Sequence, residues 1–277
     1  MGKKIDFITG DGFKSVGKWT YAPTARDRDD YDTLKNVFRI KNLADGDVIY
    51  THTFYVKQLF KIIEEVPQEV IVVTHNSDMN IDESFSLPDN VIRWFSQNVN
   101  VVHERIESIP IGLENDRWFP QLKKKEKMRA AMGLSRNFKN LAYMNHNVGT
   151  NPAKRSQPFE LLKDKPWVTT EMGKNGADFD DYLLAVFTHR FVICPEGNGM
   201  DTHRTWESLY MGAIPVELKN NNNRFYEDLP ILLIDDWEEL TEEFLKDKYN
   251  QMMGGSRSWN YDKLKMSYWK NLILSTK

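Results

Sequence analysis

Cysteine is almost missing from this chain. Cys194 stands alone among 277 residues, so no internal disulfide can form, and the cytosol is the natural compartment. Long apolar runs are missing too, and nothing approaches the ~18–20 residues that a membrane-spanning helix needs. The opening Met1-Gly-Lys-Lys-Ile-Asp6 leads straight into a strand pattern and lacks the apolar core of a signal peptide. Net charge is small: 37 basic residues against 40 acidic ones leave −3, which gives no global attraction to nucleic acid. Internal repeats are absent, and low complexity is confined to Asn220–Asn223. There is no P-loop Gly-Lys-Ser/Thr, no Gly-x-Ser-x-Gly elbow and no Cys/His zinc spacing.

What remains is an ordinary globular composition, with 28% charged and 40% apolar residues in a length that suits one large or two modest domains. Short apolar strands alternate with amphipathic helices, which favours an α/β fold with parallel sheets. The pattern predicts strands at Lys4–Thr9, Val48–Thr51 and Val70–Thr74. It predicts helices from Val56 to Val66 and from Val91 to Val99, with short extended segments at Val101-Val102 and Ile109–Ile111. A basic stretch, Lys123-Lys-Lys-Glu-Lys127 with Arg129, Arg136 and Lys139, then interrupts the alternation. It reads either as a solvated linker helix or as a contact for a polyanionic acceptor. A second series follows: strands at Leu141–Met144, Phe191–Cys194, Ile214–Glu217 and Ile231–Ile234, and helices near Pro152–Leu162 and Phe179–Val186. A domain boundary is expected near residues 120–138, and the end of the chain reads as a further helix.

The segment Phe191–Val216 is the most informative. It reads as strand, glycine loop, capped helix, glycine stop and second strand. Asp201 or Thr202 suits the N-cap, Gly212 the left-handed residue after the helix, and Pro215 follows once it has ended. His203, Arg204 and Glu207 fall on one helix face, with Trp206, Leu209, Tyr210 and Ala213 on another. Gly197-Asn198-Gly199 lets backbone approach the helix start, where free amides and the dipole favour anions. Arg204 adds a bidentate cation, and Glu207 is suited to accept from vicinal hydroxyls. The alternative is an internal Arg204–Glu207 ion pair on a surface helix.

The run Pro195-x-Gly-x-Gly-x-Asp-x-His-Arg-x-x-Glu-x-Leu-x-x-Gly-x-Ile-Pro-Val216 resembles the nucleotide-sugar motif of exostosin-like glycosyltransferases of the GT-B fold. The match covers about 26 residues. The resemblance implies Arg204 near the donor diphosphate, Glu207 near the ribose, and a second basic residue, Lys154 or Arg155, opposite. It implies two Rossmann-type domains facing a cleft: residues 1–130 on the acceptor side, 131–260 holding the donor, and a helix from 261 to 277 crossing back to the first domain. It also implies inversion at the anomeric carbon and a nucleotide sugar, with a UDP-sugar as first choice. Family members of the Golgi carry a membrane anchor, so a bacterial or phage relative in the cytoplasm (of a host, if viral) is expected.

Other candidates lie after predicted strands, where α/β sheets bind ligands. Asp11, in Thr9-Gly-Asp-Gly12, is the first choice of base and otherwise a turn former. His75 is the second, with Asp78 as an orienting partner; His52 also falls on the acceptor side. His52 and His75 read first as hydrogen-bonded structural groups, and His103 and His189 read as structural. No metal is expected: Asp45-Gly-Asp47 precedes its strand, Asp27-x-Asp29 and Asp178-x-Asp180 are poorly placed, and Asp235-Asp236 reads as a helix cap. The acceptor is expected to be a glycan or a hydroxymethylated base of phage DNA. A non-catalytic nucleotide-sugar-binding module is the alternative to an enzyme.

Overall fold

The computed structural model describes residues 6–24, 37–118, 120–138, 140–171, 179–255 and 257–276. The start of the first expected strand, Asp27-x-Asp29, Lys139 and Asp178 lie outside them. The chain forms two units, one comprising Asp6–Ile111 with Lys265–Lys277 and the other Gly112–Leu264. The basic stretch thus belongs to the second unit. Among the described residues no helix is long and apolar enough to cross a membrane.

The first unit holds a parallel sheet of β1 (Trp19–Tyr21), β2 (Asp47–His52), β3 (Val70–His75), β4 (Val91–Ser96) and β5 (Ile106–Ser108), in that spatial order. Every residue of β3 is buried, as expected of a central parallel strand covered on both faces. Helix α1 (Gly10–Lys14) follows Thr9, whose hydroxyl caps the amide of Gly12 at 3.0 Å. Helix α2 (Val56–Ile63), which ends one turn before the expected Val66, buries Val56, Leu59, Phe60 and Ile63.

The helix expected from Val91 to Val99 is strand β4 instead. Ile92, Phe95 and Val99 do sit at helical spacing. The run is nevertheless short, β-branched and aromatic, and its backbone pairs with β3 on one side and β5 on the other. Residues 6–8 form no strand, nor do Val101-Val102 or Ile109–Ile111.

The second unit contains α3 (Lys124–Met132), β6 (Asn140–Met144), α4 (Pro152–Leu162), β7 (Val168–Thr170), α5 (Phe179–Thr188), β8 (His189–Ile193), α6 (His203–Tyr210), β9 (Ile214–Leu218), β10 (Leu232–Ile234) and α7 (Glu242–Met253). Its strands are all parallel and run in the order β7-β6-β8-β9-β10. One core binds this sheet to its helices, with Ala142, Met144, Phe191, Ile193, Ile214 and Val216 buried among Leu162, Trp237 and Leu245. The strands Trp19–Tyr21 and Val168–Thr170 are too short to announce themselves in sequence.

Helix α8 (Met266–Ser275) returns to the first unit. Met266, Trp269 and Ile273 are buried at i, i+3 and i+7, and each such burial stabilises by roughly 1.5–3 kcal/mol. The Trp269 ring meets Phe13 edge-on at 6.5 Å between centroids, and the amide of Met266 donates to Asp6 O at 2.9 Å. Each unit is therefore a parallel sheet flanked by helices, as in Rossmann-type domains.

Candidate functional site

In the second unit the strand order reverses between β6 and β8: β6 is followed by β7 on one side, β8 by β9 on the other. Connections leaving adjacent strands in opposite directions open a crevice beyond their carboxyl ends, the usual ligand position in open α/β sheets. The loop after β6 carries Asn145-His146-Asn147 and leads into α4. The loop after β8 carries Pro195–Thr202 and leads into α6.

Two arginines come together there. Arg155, in the first turns of α4, is only 7% exposed; its Nε donates to Glu196 O at 2.9 Å and its Nη1 to Asn147 O at 3.0 Å. Asn151 strengthens the same seam, its side-chain amide donating to Gly197 O at 2.6 Å. Gly197 lets the guanidinium sit close: a Cβ there would lie 3.1 Å from Arg155 Nη2. Gly197 and Gly199 are buried and Asn198 is exposed, and neither glycine has a positive φ, so the loop uses glycine for close approach, not for a left-handed turn.

Arg204 donates from Nε to Asn145 Oδ1 at 3.1 Å. Among the described residues neither arginine pairs with a carboxylate, and the nearby Glu196 is engaged by Lys154 at 3.1 Å. Burial first, and Arg204 second, push the Arg155 guanidinium down to about 10. A buried and a half-buried cation without counter-charge are expensive to maintain; an anion between them removes that expense.

The helix starts point the same way. Thr202 is the N-cap of α6 and Asn151 that of α4, and neither side chain caps its helix. Asp201, the other cap candidate, instead accepts the indole N–H of Trp206 at 2.8 Å. Of the first-turn amides, Thr205 donates to Thr202 O at 3.1 Å and Lys154 to Asn151 O at 3.2 Å, and Pro152 has none. That leaves those of His203 and Arg204 on α6 and Ala153 on α4. Gly212 has φ +73°, the left-handed stop that the sequence announces.

Glu207 is buried and makes no ion pair with Arg204 within the donor motif. Its Oε2 accepts from Tyr182 Oη at 2.8 Å, and Lys124 Nζ lies 4.0 Å from Oε1. Burial, then the Glu207 charge, push the Tyr182 phenol well above its ordinary range, so it stays a donor. His203 is held by Gly112 O, 2.7 Å from its Nδ1.

His146 is a residue that sequence reading missed. It is 3% exposed, its Nε2 lies 3.0 Å from Arg155 O, and its Nδ1 is buried without a partner. Burial, with the charges of Arg204 and Arg155, pushes its imidazole down to about 4, against the pull of the Arg155 carbonyl. The available signal was its place in a polar triplet directly after a strand.

In the first unit, Asp11 lies in the first turn of α1 and is partly exposed. His75 does not fit the base expected of it. Its ring is 1% exposed and stacked on Phe13, Nδ1 accepts the amide of Asn76 at 2.7 Å, and Nε2 faces Pro110 O at 3.0 Å. With its acceptor nitrogen occupied it is a framework group, and Asp78 is an exposed residue beyond it. His52 caps the turn at 53–55, accepting from Phe54 N at 3.4 Å, and stacks on the exposed Phe54 ring at 4.8 Å.

The lysines of α3 face acids of their own unit: Lys124 meets Glu114 at 2.7 Å, Lys125 meets Asp116 at 2.9 Å and Lys127 meets Asp180 at 2.7 Å. Asp47 is held by Lys18 at 2.6 Å and Trp19 at 2.7 Å, and Asp236 caps the turn at 237–239 in a capping box with Glu239. Among the described residues no group of three or more His, Cys, Asp or Glu is placed to hold a metal ion.

No protein-family profile matches the chain, and no curated protein does. Among solved structures, it is similar to an α1,3-fucosyltransferase at 10% identity and a TM-score of 0.44, over 88% of this chain and 82% of that one. It is also similar to a GtfA/B complex at 11% identity and a TM-score of 0.38, over 84% of this chain and 55% of that one. Superpositions of this quality assign neither a family nor an activity.

Proposed function

We propose that the chain is a glycosyltransferase that moves a sugar from a nucleotide-sugar donor to a hydroxyl acceptor. One observation carries the reading: Arg155 and Arg204 meet at the reversal point of a parallel sheet without a carboxylate between them. A diphosphate supplies the missing charge and accepts from both guanidinium groups and the open amides of α6. Glu207, oriented by Tyr182, then accepts from ribose hydroxyls.

In the proposed reaction the acceptor oxygen attacks the anomeric carbon and the bond from that carbon to the diphosphate oxygen breaks. The acceptor proton passes to a base, for which Asp11 is the candidate. Direct displacement inverts the anomeric centre. The nucleoside diphosphate leaves with charge that Arg155, Arg204 and the helix amides neutralise, a form of electrostatic stabilisation that requires no metal. The proposed acceptor is a glycan or a hydroxymethylated base of phage DNA.

A non-catalytic nucleotide-sugar-binding module is the second reading, favoured by the engagement of His75, which leaves fewer candidate bases. The test is mass spectrometry of products from a panel of nucleotide sugars offered with glycans and with hydroxymethylated DNA. Transfer that is lost in Asp11→Asn while donor affinity is retained supports the enzyme. Donor binding without transfer to any acceptor supports the module.

A further inference from the structure

We propose that Lys124 of α3 and Glu207 of α6 together form a clamp for a vicinal diol, and that the diol is the ribose of the donor nucleotide. The inference rests on the nucleotide-sugar reading above and adds to it a second ribose ligand, drawn from the basic stretch.

Three contacts place the ammonium. Lys124 Nζ lies 2.7 Å from Glu114 Oε2, 5.3 Å from the centroid of the Phe179 ring and 4.0 Å from Glu207 Oε1. Among the described residues its nearest carboxylate is therefore Glu114, in the segment before α3, and not the acid of the donor helix. The separation from Glu207 decides what the pair can do. It exceeds a hydrogen bond of about 2.7–3.2 Å, so the two groups face each other without being joined. Both are reachable, with 22% of the Lys124 side chain and 8% of the Glu207 side chain exposed.

An ammonium offers only donors and a carboxylate only acceptors, whereas a hydroxyl is both. Of two hydroxyls on adjacent carbons, one donates to Glu207 Oε1 while the other accepts from Lys124 Nζ, and their oxygens together span the gap. Glu207 Oε2 is already taken by Tyr182 Oη at 2.8 Å, which leaves Oε1 as the oxygen turned to the ligand. A ligand that lacks either hydroxyl leaves a desolvated charge without that bond, which costs more than the contact itself. The position suits a nucleotide. Glu207 follows Arg204 by three residues on one helix face, about 4.5 Å along the axis, and ribose carries its phosphate and its diol on opposite sides of one small ring.

Calorimetry on the wild-type chain tests the clamp with UDP, its 2′-deoxy and 3′-deoxy forms, and inorganic pyrophosphate. UDP holds the ribose diol but no transferred sugar, so a penalty for either deoxy form assigns the diol to the ribose. Each deoxy form should bind about tenfold more weakly than UDP, as expected for a lost hydrogen bond to a charged group. In Lys124→Met one of the two penalties should vanish, that of the hydroxyl facing the ammonium, and the other should persist. Pyrophosphate, which has no diol, should keep its affinity and so report that the variant is folded. Lys124→Gln, whose shorter amide can still bond Glu114, repeats the test where Lys124→Met does not fold. A lysine that merely props Glu207 would shrink both penalties or neither, and either result overturns the clamp. Equal binding of UDP and its deoxy forms by the wild type overturns it together with the ribose role of Glu207, and leaves the anion site standing. Absence of pyrophosphate binding, or binding unaffected by Arg204→Ala, overturns the anion site and the clamp alike.

Discussion

The phenol of Tyr182 on α5 donates to Glu207 Oε2 on α6 at 2.8 Å, tying a buried carboxylate to the helix beside it. The other carboxylate oxygen, Oε1, faces Lys124 Nζ at 4.0 Å, an ion pair longer than a hydrogen bond, so it can still accept from a ligand hydroxyl. Tyr182→Phe should therefore weaken a nucleoside diphosphate about tenfold, the worth of one charge-assisted hydrogen bond that orients the acceptor. Inorganic pyrophosphate, which has no ribose, should bind the variant as before. Calorimetry with both ligands separates the two, and an equal loss for both would remove Glu207 from ribose recognition.

The two arginines differ in what they hold. Among the described residues the Arg204 side chain makes one hydrogen bond, to Asn145, so Arg204→Ala should leave the melting temperature nearly unchanged. It should nevertheless weaken pyrophosphate on the order of a hundredfold, as expected for a lost charged contact of about 2–3 kcal/mol. Arg155 joins the two loops through Glu196 O and Asn147 O. Arg155→Ala should weaken the anion and also destabilise the fold by about 1–3 kcal/mol, because two hydrogen bonds that join the loops are lost together with the packing of a buried side chain. Thermal melts beside the same titrations give the comparison.

Glu217 gives a pH signature of its own. Its carboxyl is pushed up to about 7, by burial first and by Asp201 and Glu196, against hydrogen bonds from Thr205 and Asn223. The folded value lies above the ordinary 4.5, so its contribution to stability is complete below 4.5 and is lost as the pH rises through 7. Glu217→Gln should stabilise the protein by up to roughly 3 kcal/mol at pH 8 and by much less at pH 4.5. His146 has the opposite sign: with its imidazole down at about 4 against 6.5, its contribution is present above 6.5 and is lost as the pH falls through 4. Equal effects of Glu217→Gln at the two pH values would contradict the assignment.

Gly10 tests the framework of the first unit. A Cβ there would overlap the side chain of Asn76 and lie 2.8 Å from His75 Nδ1. Gly10→Ala should destabilise by about 1–3 kcal/mol through overpacking. A denaturant midpoint equal to that of the wild type would show that Asn76 and His75 can move aside.

Punctuation made much of the second unit legible in sequence. Pro152 at the start of α4, and Gly212 and Pro215 after α6, encode local conformation through φ preferences alone, and those elements fall where expected. β4 was misread because Ile92, Phe95 and Val99 satisfy a helical spacing, and only pairing to β3 and β5 decides between the two periods. At the site, Arg155 and Arg204 were legible because a cation at a helix start is a local pattern. The isolation of His146 was not: an unpartnered nitrogen results from what packs around it, and strand order brings those groups together. The same holds for His75, whose burial against Phe13 and Pro110 joins segments distant in the chain.

The return of α8 to the first unit sets an order of assembly. Gly112–Leu264 is one continuous stretch and has its full complement of contacts available once synthesis passes Leu264. The first unit begins earlier but lacks Met266, Trp269 and Ile273 until after that point. Phe13 of α1, which the Trp269 ring meets, lacks that neighbour while the later-made unit is already able to close. Folding during translation thus runs against the direction of synthesis. A nascent chain stalled before Met266 would be protected from protease in its second half and cleavable in its first.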